Sequence, residues 1–240
     1  MRILVTNDDS ISASQLLPLI RWCQKLGDVT AVVPKFEQSG KSHGIELHRD
    51  FEAKQVELAP DVTAWAVDST PADCVRFALL GLQLEVDLVI SGVNRGLNMG
   101  TDMMYSGTVS AACEAVHLGV PAVALSTPPE YYDQAISHLD RVLDYFRQHD
   151  LMGKHNLYNV NIPADPKEIR ITRQGGPYYS DTFREQLPNM YRPCGLCVWE
   201  DRHDDTLDTD ATLHGYITIT PLTVNRTDKA IFSKLSELNQ

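Results

Sequence analysis

The segment "RILVTNDDS" (residues 2–10) joins an apolar run typical of a buried strand to a short polar segment with two aspartates. Arg2–Thr6 reads as a buried β-strand, and Asp8 and Asp9 stand side by side directly after it. The chain already carries a formal net charge of −11, and two adjacent carboxylates repel one another unless a positive charge lies between them. The segment therefore predicts a central strand whose end faces a cation.

Composition limits the classes of protein to consider. The chain has 240 residues, 43% of them hydrophobic, enough to bury the core of one large α/β domain. Acidic residues outnumber basic ones 32 to 21, which disfavours binding to a nucleic-acid duplex. We find no signal peptide and no long apolar run, so we expect a cytoplasmic protein without a membrane segment. The five scattered cysteines suit reduced thiols, and the lone pair Cys194 and Cys197 lacks the second ligand pair of a zinc knuckle.

Strand and helix patterns alternate through about the first 125 residues. The predicted strands are residues 2–6, 29–34, 62–67, 86–91 and 122–126. Several are continuous apolar runs, which are typical of strands covered by helices on both faces. One predicted helix follows Thr70 as N-cap and begins at Pro71, and another spans residues 131–149. The alternation predicts an α/β fold with a Rossmann-like, doubly wound and mostly parallel sheet.

The pattern changes after about residue 150. "LYNVNIP" and "LHGYITITPL" alternate like antiparallel strands, while residues 174–210 are rich in Gly, Pro and polar residues. We expect residues 1–150 to form the α/β core with the metal and phosphate site. Residues 151–240 are expected to complete the sheet within the same structural domain, and to provide an irregular, hairpin-bearing part used in subunit contacts.

Oxygen-bearing side chains follow three of the predicted strands. They are Asp8, Asp9, Ser39, Asn94 and Asn98. Loops after parallel strands meet at one edge of the sheet, where such folds bind ligands. With no thiol or imidazole among them, this set suits a hard divalent cation such as Mg²⁺ or Mn²⁺. The alternative for the Asn-Asp-Asp-Ser segment alone is ordinary turn and cap chemistry, which all four residues favour.

Ser106, Gly107 and Thr108 lie where a loop enters an Ala-rich helix. Free backbone N–H groups and the positive end of the helix dipole make such a position an anion site, although a plain N-cap by one hydroxyl is the alternative. A metal cluster and an anion site at one sheet edge together indicate a metal-dependent phosphate-ester hydrolase. Asp8 or Asp9 would also exchange the proton of the water or leaving group.

Seven segments of the chain, in order, resemble the SurE family of 5′-nucleotidases (survival protein E). They are "RILVTNDDS", "QSGKSHGI", "VDSTPADCV", "DLVISGVNRGLNMGTDMMYSGTVSAACEA", "YNVNIP", "TRQGGPYYSD" and "TDATLHGYITITPL". The resemblance covers residues 1–223, and the long fourth block is highly specific.

The resemblance implies hydrolysis of nucleoside 5′- and 3′-monophosphates, small-molecule substrates, with one divalent metal ion (Mg or Mn) per subunit. It also implies a homodimer or homotetramer built through exchanged C-terminal elements. The family's metal ligands fall on Asp8, Asp9, Ser39 and Asn94. Its phosphate-contacting segment falls on residues 106–108, with Asn98 close by.

The chain departs from the family at two places. Ser10 replaces the Gly that the family usually has there, which matters if that position needs a positive φ angle. Residues 185–201 lack the sequence motif that the family usually has in this region.

Two rival functions stay open: a broad-specificity metal phosphatase or exopolyphosphatase, and a non-catalytic nucleotide-sensing protein. Outside the motifs, His43 is expected to be solvated and Tyr105 to be packed. The run "EDRHDDTLDTD" (residues 200–210) is expected to be a solvated hairpin tip rather than a second cation site.

Overall fold

The computed structural model describes residues 1–239 and builds most of them around one nine-stranded sheet. The strands are β1 (Arg2–Thr6), β2 (Asp28–Pro34), β3 (Ala53–Glu57), β4 (Thr63–Val67), β5 (Leu88–Arg95), β6 (Ala122–Thr127), β7 (Leu157–Asn161), β8 (Ile169–Ile171), β9 (Tyr179–Leu187), β10 (Met190–Cys197) and β11 (Ile217–Pro221). The α-helices are α1 (Leu16–Gln24), α2 (Pro71–Arg76), α3 (Gly107–His117), α4 (Leu139–Gln148), α5 (Leu151–Lys154), α6 (Asp208–Leu213) and α7 (Lys229–Ser236).

The sheet has the order β3-β4-β2-β1-β5-β6-β7-β11-β8. The six neighbouring strands β4, β2, β1, β5, β6 and β7 run parallel to one another. Strand β3 pairs antiparallel with β4, and β11 pairs antiparallel with β7. The chain proceeds from β1 to one side through β2 and then crosses to the other side at β5. The order therefore reverses at β1, where ligands bind in such sheets. The predicted α/β fold class is confirmed.

Strand β1 is buried on both faces, as its continuous apolar run predicts. Val5 belongs to a core cluster that includes Leu19 of α1 and Val142 of α4. Leu4 points to the opposite face, into a cluster with Val109 of α3. Helices therefore cover both faces of β1, as expected for a central strand of a parallel sheet.

The helix predicted over residues 131–149 is α-helical only from Leu139 onward. The preceding segment, Pro129–His138, is a 3₁₀-helix. Its buried residues, Tyr132 and Ala135, are three positions apart, which matches the period of the 3₁₀-helix. Adjacent tyrosines and the other weak helix formers of this segment also lower its α-helical preference.

The C-terminal part joins the main sheet through β7, β11 and β8 and adds a separate hairpin of β9 and β10. The sequence predicted a hairpin-bearing C-terminal part, and this hairpin is long, with one register shift beside Met190. Its strands carry exposed apolar side chains such as Phe183, Leu187 and Leu196. Helix α7 buries none of its side chains. Such surfaces are consistent with the expected subunit contacts, which stay a prediction. Over residues 1–239, no helix has the length and apolarity needed to cross a bilayer.

Candidate active site

Asp8 lies at the end of β1 and is only 4% exposed. Burial raises the pKa of its carboxyl to about 6, and the neighbouring charge of Asp9 raises it as well. The Thr108 hydroxyl donates a hydrogen bond to Asp8 Oδ1 and opposes that rise. A buried carboxylate with a raised pKa gains most from a nearby positive charge, because that charge compensates for lost hydration.

Asp9 sits beside Asp8 at the same edge. Its Oδ2 accepts a hydrogen bond of 2.9 Å from the backbone N–H of Arg95, the last residue of β5. Burial raises the pKa of Asp9 despite this bond, and the charge of Glu37 raises it further. Glu37 is a third carboxylate near the pair that the sequence did not single out. The strand ends thus concentrate negative charge, which favours a cation.

The loop after β2 is tied directly to the end of β1. The backbone N–H of Gln38 donates to the carbonyl of Asp8 at 2.8 Å, and this bond brings the next residue, Ser39, close to the end of β1. The Ser39 hydroxyl donates to Glu37 Oε1 at 2.8 Å. Ser39 therefore lies in the region of the two aspartates, with its hydroxyl engaged by the third carboxylate.

Asn94 is one of the predicted metal ligands and lies near the end of β5. The β5–β6 ladder shifts register between Ser91 and Asn94, an irregularity that turns side chains at a strand end. Asn94 Nδ2 donates to the carbonyl of Gly96 at 2.8 Å. That bond orients the side-chain amide and leaves Oδ1 as the atom that would bind a cation.

Helix α3 begins against Asp8. Ser106 is its N-cap, and its Oγ accepts a hydrogen bond of 3.0 Å from the N–H of Val109. A Cβ atom on Gly107 would lie 3.1 Å from the Asp8 Cβ, tighter than an ordinary van der Waals contact, so glycine favours this close approach of the helix start to the carboxylate. The Ser106 hydroxyl therefore is an N-cap, as the alternative interpretation of this segment predicted. The same segment also brings the positive end of the helix to Asp8, so capping and an anion site are compatible here.

Asn98 is buried and anchored to two neighbouring strands. Its Nδ2 donates to Ser126 Oγ of β6 at 2.8 Å, and its backbone N–H donates to Asn161 Oδ1 of β7 at 2.9 Å. Its carbonyl accepts from the side-chain amides of Asn159 and Asn161. These bonds hold the loop between β5 and α3, a positioning role for the two buried asparagines of "YNVNIP" that the sequence analysis did not assign. Two polar residues within an otherwise apolar strand are the signal that could have found them.

His43 is not the solvated loop residue that the sequence predicted. Its Nε2 lies 2.8 Å from Glu114 Oε2 of α3, and Glu114 Oε1 also accepts from Arg76 of α2 at 3.2 Å. Burial alone would raise the pKa of Glu114, but these two partners outweigh it and lower that pKa. The contact ties the Ser39 loop to the helix that begins at the aspartates, a link that depends on residues far apart in sequence.

The polypeptide turns away from the site at Ser10, which adopts a φ of +80°. The Asn7 side chain holds this turn, with Oδ1 accepting from the N–H of Ser10 at 3.1 Å and Nδ2 donating to its carbonyl at 3.0 Å. A side chain in this left-handed region costs about 1–2 kcal/mol, which glycine avoids.

We expect Ser10→Gly to stabilise the protein by about 0.5–1 kcal/mol, because relief of the strain exceeds the greater flexibility of unfolded glycine. This corresponds to a rise in Tm of about 2 °C for a chain of this size. Thermal unfolding followed by circular dichroism measures it. Ser10→Ala is the matched control, since it keeps the strain and loses the hydroxyl. A Tm of Ser10→Gly at or below that of Ser10→Ala would contradict the strain.

Four matches to known proteins bear on the family of this chain. A family model described as "Survival protein SurE" matches residues 3–181. The chain is 38% identical over 239 residues to "5′-nucleotidase SurE" of Petrotoga mobilis, covering 93% of each chain, and 37% identical over 264 residues to the protein of that name from Synechococcus elongatus, covering all of both. A crystal structure of the Sure protein from Aquifex aeolicus superposes with a TM-score of 0.76 at 28% identity, over the full length of both chains.

Proposed function

This chain belongs to the SurE family, and from that premise we propose that it is a metal-dependent nucleotidase that hydrolyses nucleoside 5′- and 3′-monophosphates to nucleoside and phosphate. One observation carries the proposal: the Asp8 carboxylate contacts Thr108 in the first turn of α3. A carboxylate cluster suited to a cation and a helix start suited to a phosphate thereby share an edge. The relatives named 5′-nucleotidase align over nearly the whole chain, which supports the same reaction here.

The chemistry of the donor set fits one divalent ion of the Mg²⁺ or Mn²⁺ type per subunit. Asp8, Asp9, Ser39 and Asn94 offer oxygen atoms, and the pKa of each aspartate is raised chiefly by burial. When bound, the ion would polarise the phosphoryl group and provide an activated water. We therefore assign these four residues as the metal ligands.

The first turn of α3 is assigned to the phosphate. Backbone N–H groups at the start of this 11-residue helix and the hydroxyl of Ser106 would donate to phosphate oxygens. Gly107 keeps this surface free of a side chain, while Asn98 fixes the loop that leads to it. Asp8 and Asp9 are assigned the proton transfers, because the Asp8 carboxylate contacts the first turn of α3, where the phosphate would bind, and Asp9 is its neighbour.

Tyr105 offers a surface for the nucleoside. It directly precedes the phosphate segment and is 66% exposed, rather than packed as the sequence predicted. Its carbonyl accepts a hydrogen bond of 3.0 Å from the N–H of Ser42, which joins it to the Ser39 loop. An exposed aromatic ring next to a phosphate site provides a face on which a base can stack.

We expect Thr108→Val to lower kcat/KM for a nucleoside monophosphate by about 10–100-fold, the usual cost of losing a residue that orients a metal ligand. Valine keeps the shape of the fully buried side chain but removes the donor to Asp8. Steady-state phosphate release checks this result. Thr108→Ser retains the hydroxyl and is expected to stay near wild type. Equal kinetics for the valine and serine variants would reduce this contact to a structural one.

The proposed substrate class is tested by a panel assayed with Mn²⁺: nucleoside 5′- and 3′-monophosphates, an aryl phosphate and inorganic polyphosphate. We expect kcat/KM to be highest for the nucleotides. Comparable values for every ester would instead identify a broad-specificity phosphatase, and preference for polyphosphate an exopolyphosphatase. Nucleotide binding without phosphate release would identify a nucleotide-sensing protein and overturn the proposed reaction.

A further inference from the structure

A second group of possible metal ligands lies outside the candidate active site. Asp201 and His203 belong to the loop between β10 and α6, and His214 follows the last residue of α6. We call these three residues the His–Asp cluster. Their ligand atoms all lie within 4.8 Å of one another. The sequence predicted that the acidic run of residues 200–210 is a solvated hairpin tip rather than a second cation site, and His214 lies outside that run.

The distances within the cluster suit one small ion. Asp201 Oδ2 lies 3.0 Å from His203 Nδ1 and 3.1 Å from His214 Nε2. Ligand atoms at about 2.0–2.1 Å from a tetrahedral zinc ion are about 3.3 Å apart. The two ring nitrogens lie within 4.8 Å of each other, and closing that distance to about 3.3 Å would place all three atoms around one ion, with a further position open to water.

Two contacts behind the cluster orient its ligands. Asp205 Oδ1 lies 2.6 Å from Nδ1 of His214, which directs Nε2 of that ring toward Asp201. Metal-binding histidines usually make this bond to a carboxylate through their second nitrogen. Asp201 uses its other oxygen, Oδ1, to accept from the backbone N–H of His203 at 2.8 Å, leaving Oδ2 for both rings.

The loop that carries the cluster is fixed to α6. Asp210, a buried residue of that helix, accepts at Oδ2 from the backbone N–H groups of Arg202 at 3.0 Å and Asp204 at 3.2 Å. These two residues flank His203, whose φ of +55° is uncommon for a residue other than glycine. Trp199 Nε1 donates to Asp210 Oδ1 at 2.9 Å and holds the start of the loop. The backbone that carries the cluster is therefore fixed, although the His203 side chain is largely exposed.

We propose that Asp201, His203 and His214 form a second metal site, which binds a zinc-class divalent ion and joins the β10–α6 loop to the end of α6. Two imidazoles and one carboxylate favour zinc, nickel or copper over magnesium, in contrast to the oxygen atoms at the end of β1. The two sites share no residue and select different metals. The surplus of acidic side chains in the chain also favours a cation at this surface.

The test is zinc stoichiometry measured by equilibrium dialysis on the full chain after removal of metals with a chelator. All variants carry Cys197→Ser, so that this exposed thiol does not contribute. We expect His203→Ala and His214→Ala each to lose one equivalent of zinc per chain relative to the Cys197→Ser parent. His48→Ala, a change to an exposed histidine elsewhere, and Asp9→Asn, a change at the end of β1, are expected to retain that equivalent.

Cobalt provides a second readout of the same site. We expect bound Co²⁺ to produce visible absorption bands that disappear when zinc displaces the cobalt. His203→Ala is expected to abolish these bands. His203 has a largely exposed side chain, so its replacement should leave the metal-free circular dichroism spectrum unchanged. Zinc stoichiometry and cobalt bands equal to those of the parent in both histidine variants would overturn the proposal and leave an ion-pair network. Neither result depends on nucleotidase activity, so the failure of one proposal is distinguishable from failure of the other.

Discussion

Asp9→Asn is expected to lower kcat/KM for a nucleoside 5′-monophosphate by about 10³-fold, the scale of losing a principal electrostatic contact in a transition state. The substitution removes one charge from the cluster at the end of β1 and keeps the shape of the side chain. Its amide oxygen still accepts from the N–H of Arg95, so the local backbone contact is preserved. Phosphate release over a range of Mn²⁺ concentrations separates a weaker metal affinity from a lower maximal rate.

The matched control for this result is Asp61→Asn. Asp61 is an exposed carboxylate paired with Arg21 of α1, so the same change of charge is made away from the strand ends. We expect its activity to stay within about twofold of wild type, since exposed ion pairs contribute little. A folded Asp9→Asn protein with activity equal to Asp61→Asn would remove Asp9 from the reaction.

Asp208→Ala is expected to destabilise the protein by about 3 kcal/mol, because it leaves one buried and one half-buried N–H group without an acceptor. The fully buried Asp208 carboxylate of α6 accepts from the N–H of Gly100 at 3.0 and 3.1 Å and from that of Gly175 at 2.7 Å. Burial raises the pKa of Asp208, and these two bonds oppose the rise. Gly100 begins the turn that leads to Ser106, so the loss should also disturb the start of α3.

Urea denaturation measures the free energy of unfolding for this variant. The expected loss corresponds to a drop in Tm of about 6–12 °C. Asp208→Asn is the control, because its Oδ1 still accepts at least one of the bonds, and we expect it to be the more stable variant. An Asp208→Ala protein within about 0.5 kcal/mol of wild type would mean that water replaces the lost acceptor.

The central strands were predictable because strands buried on both faces appear in the sequence as continuous apolar runs. Strand β1 has the predicted ends, and the Thr70 cap of α2 accepts from the N–H of Asp73 as expected. The edge strand β3 was missed, since its segment "AKQVE" is half exposed and lacks such a run. The sequence predicted a hairpin in the C-terminal part but not the bounds of β9 and β10, because neither strand is buried and no alternation marks them.

The candidate site was predictable in its members but not in its contacts. Parallel strands end at one edge, so Asp8, Asp9 and Asn94 could be placed together from the strand pattern alone. The bond from Thr108 to Asp8 joins residues 100 positions apart, and that between His43 and Glu114 spans 71. No local period encodes such pairs. The contacts therefore follow from how α3 packs on the sheet.

The most direct measurement is phosphate release from a nucleoside 5′-monophosphate by chelator-treated protein, before and after Mn²⁺ is restored. We expect no release above background in chelator, recovery as Mn²⁺ is added, and no recovery for Asp9→Asn at the same concentrations. Full activity of the wild-type protein in chelator would contradict a catalytic metal at the end of β1.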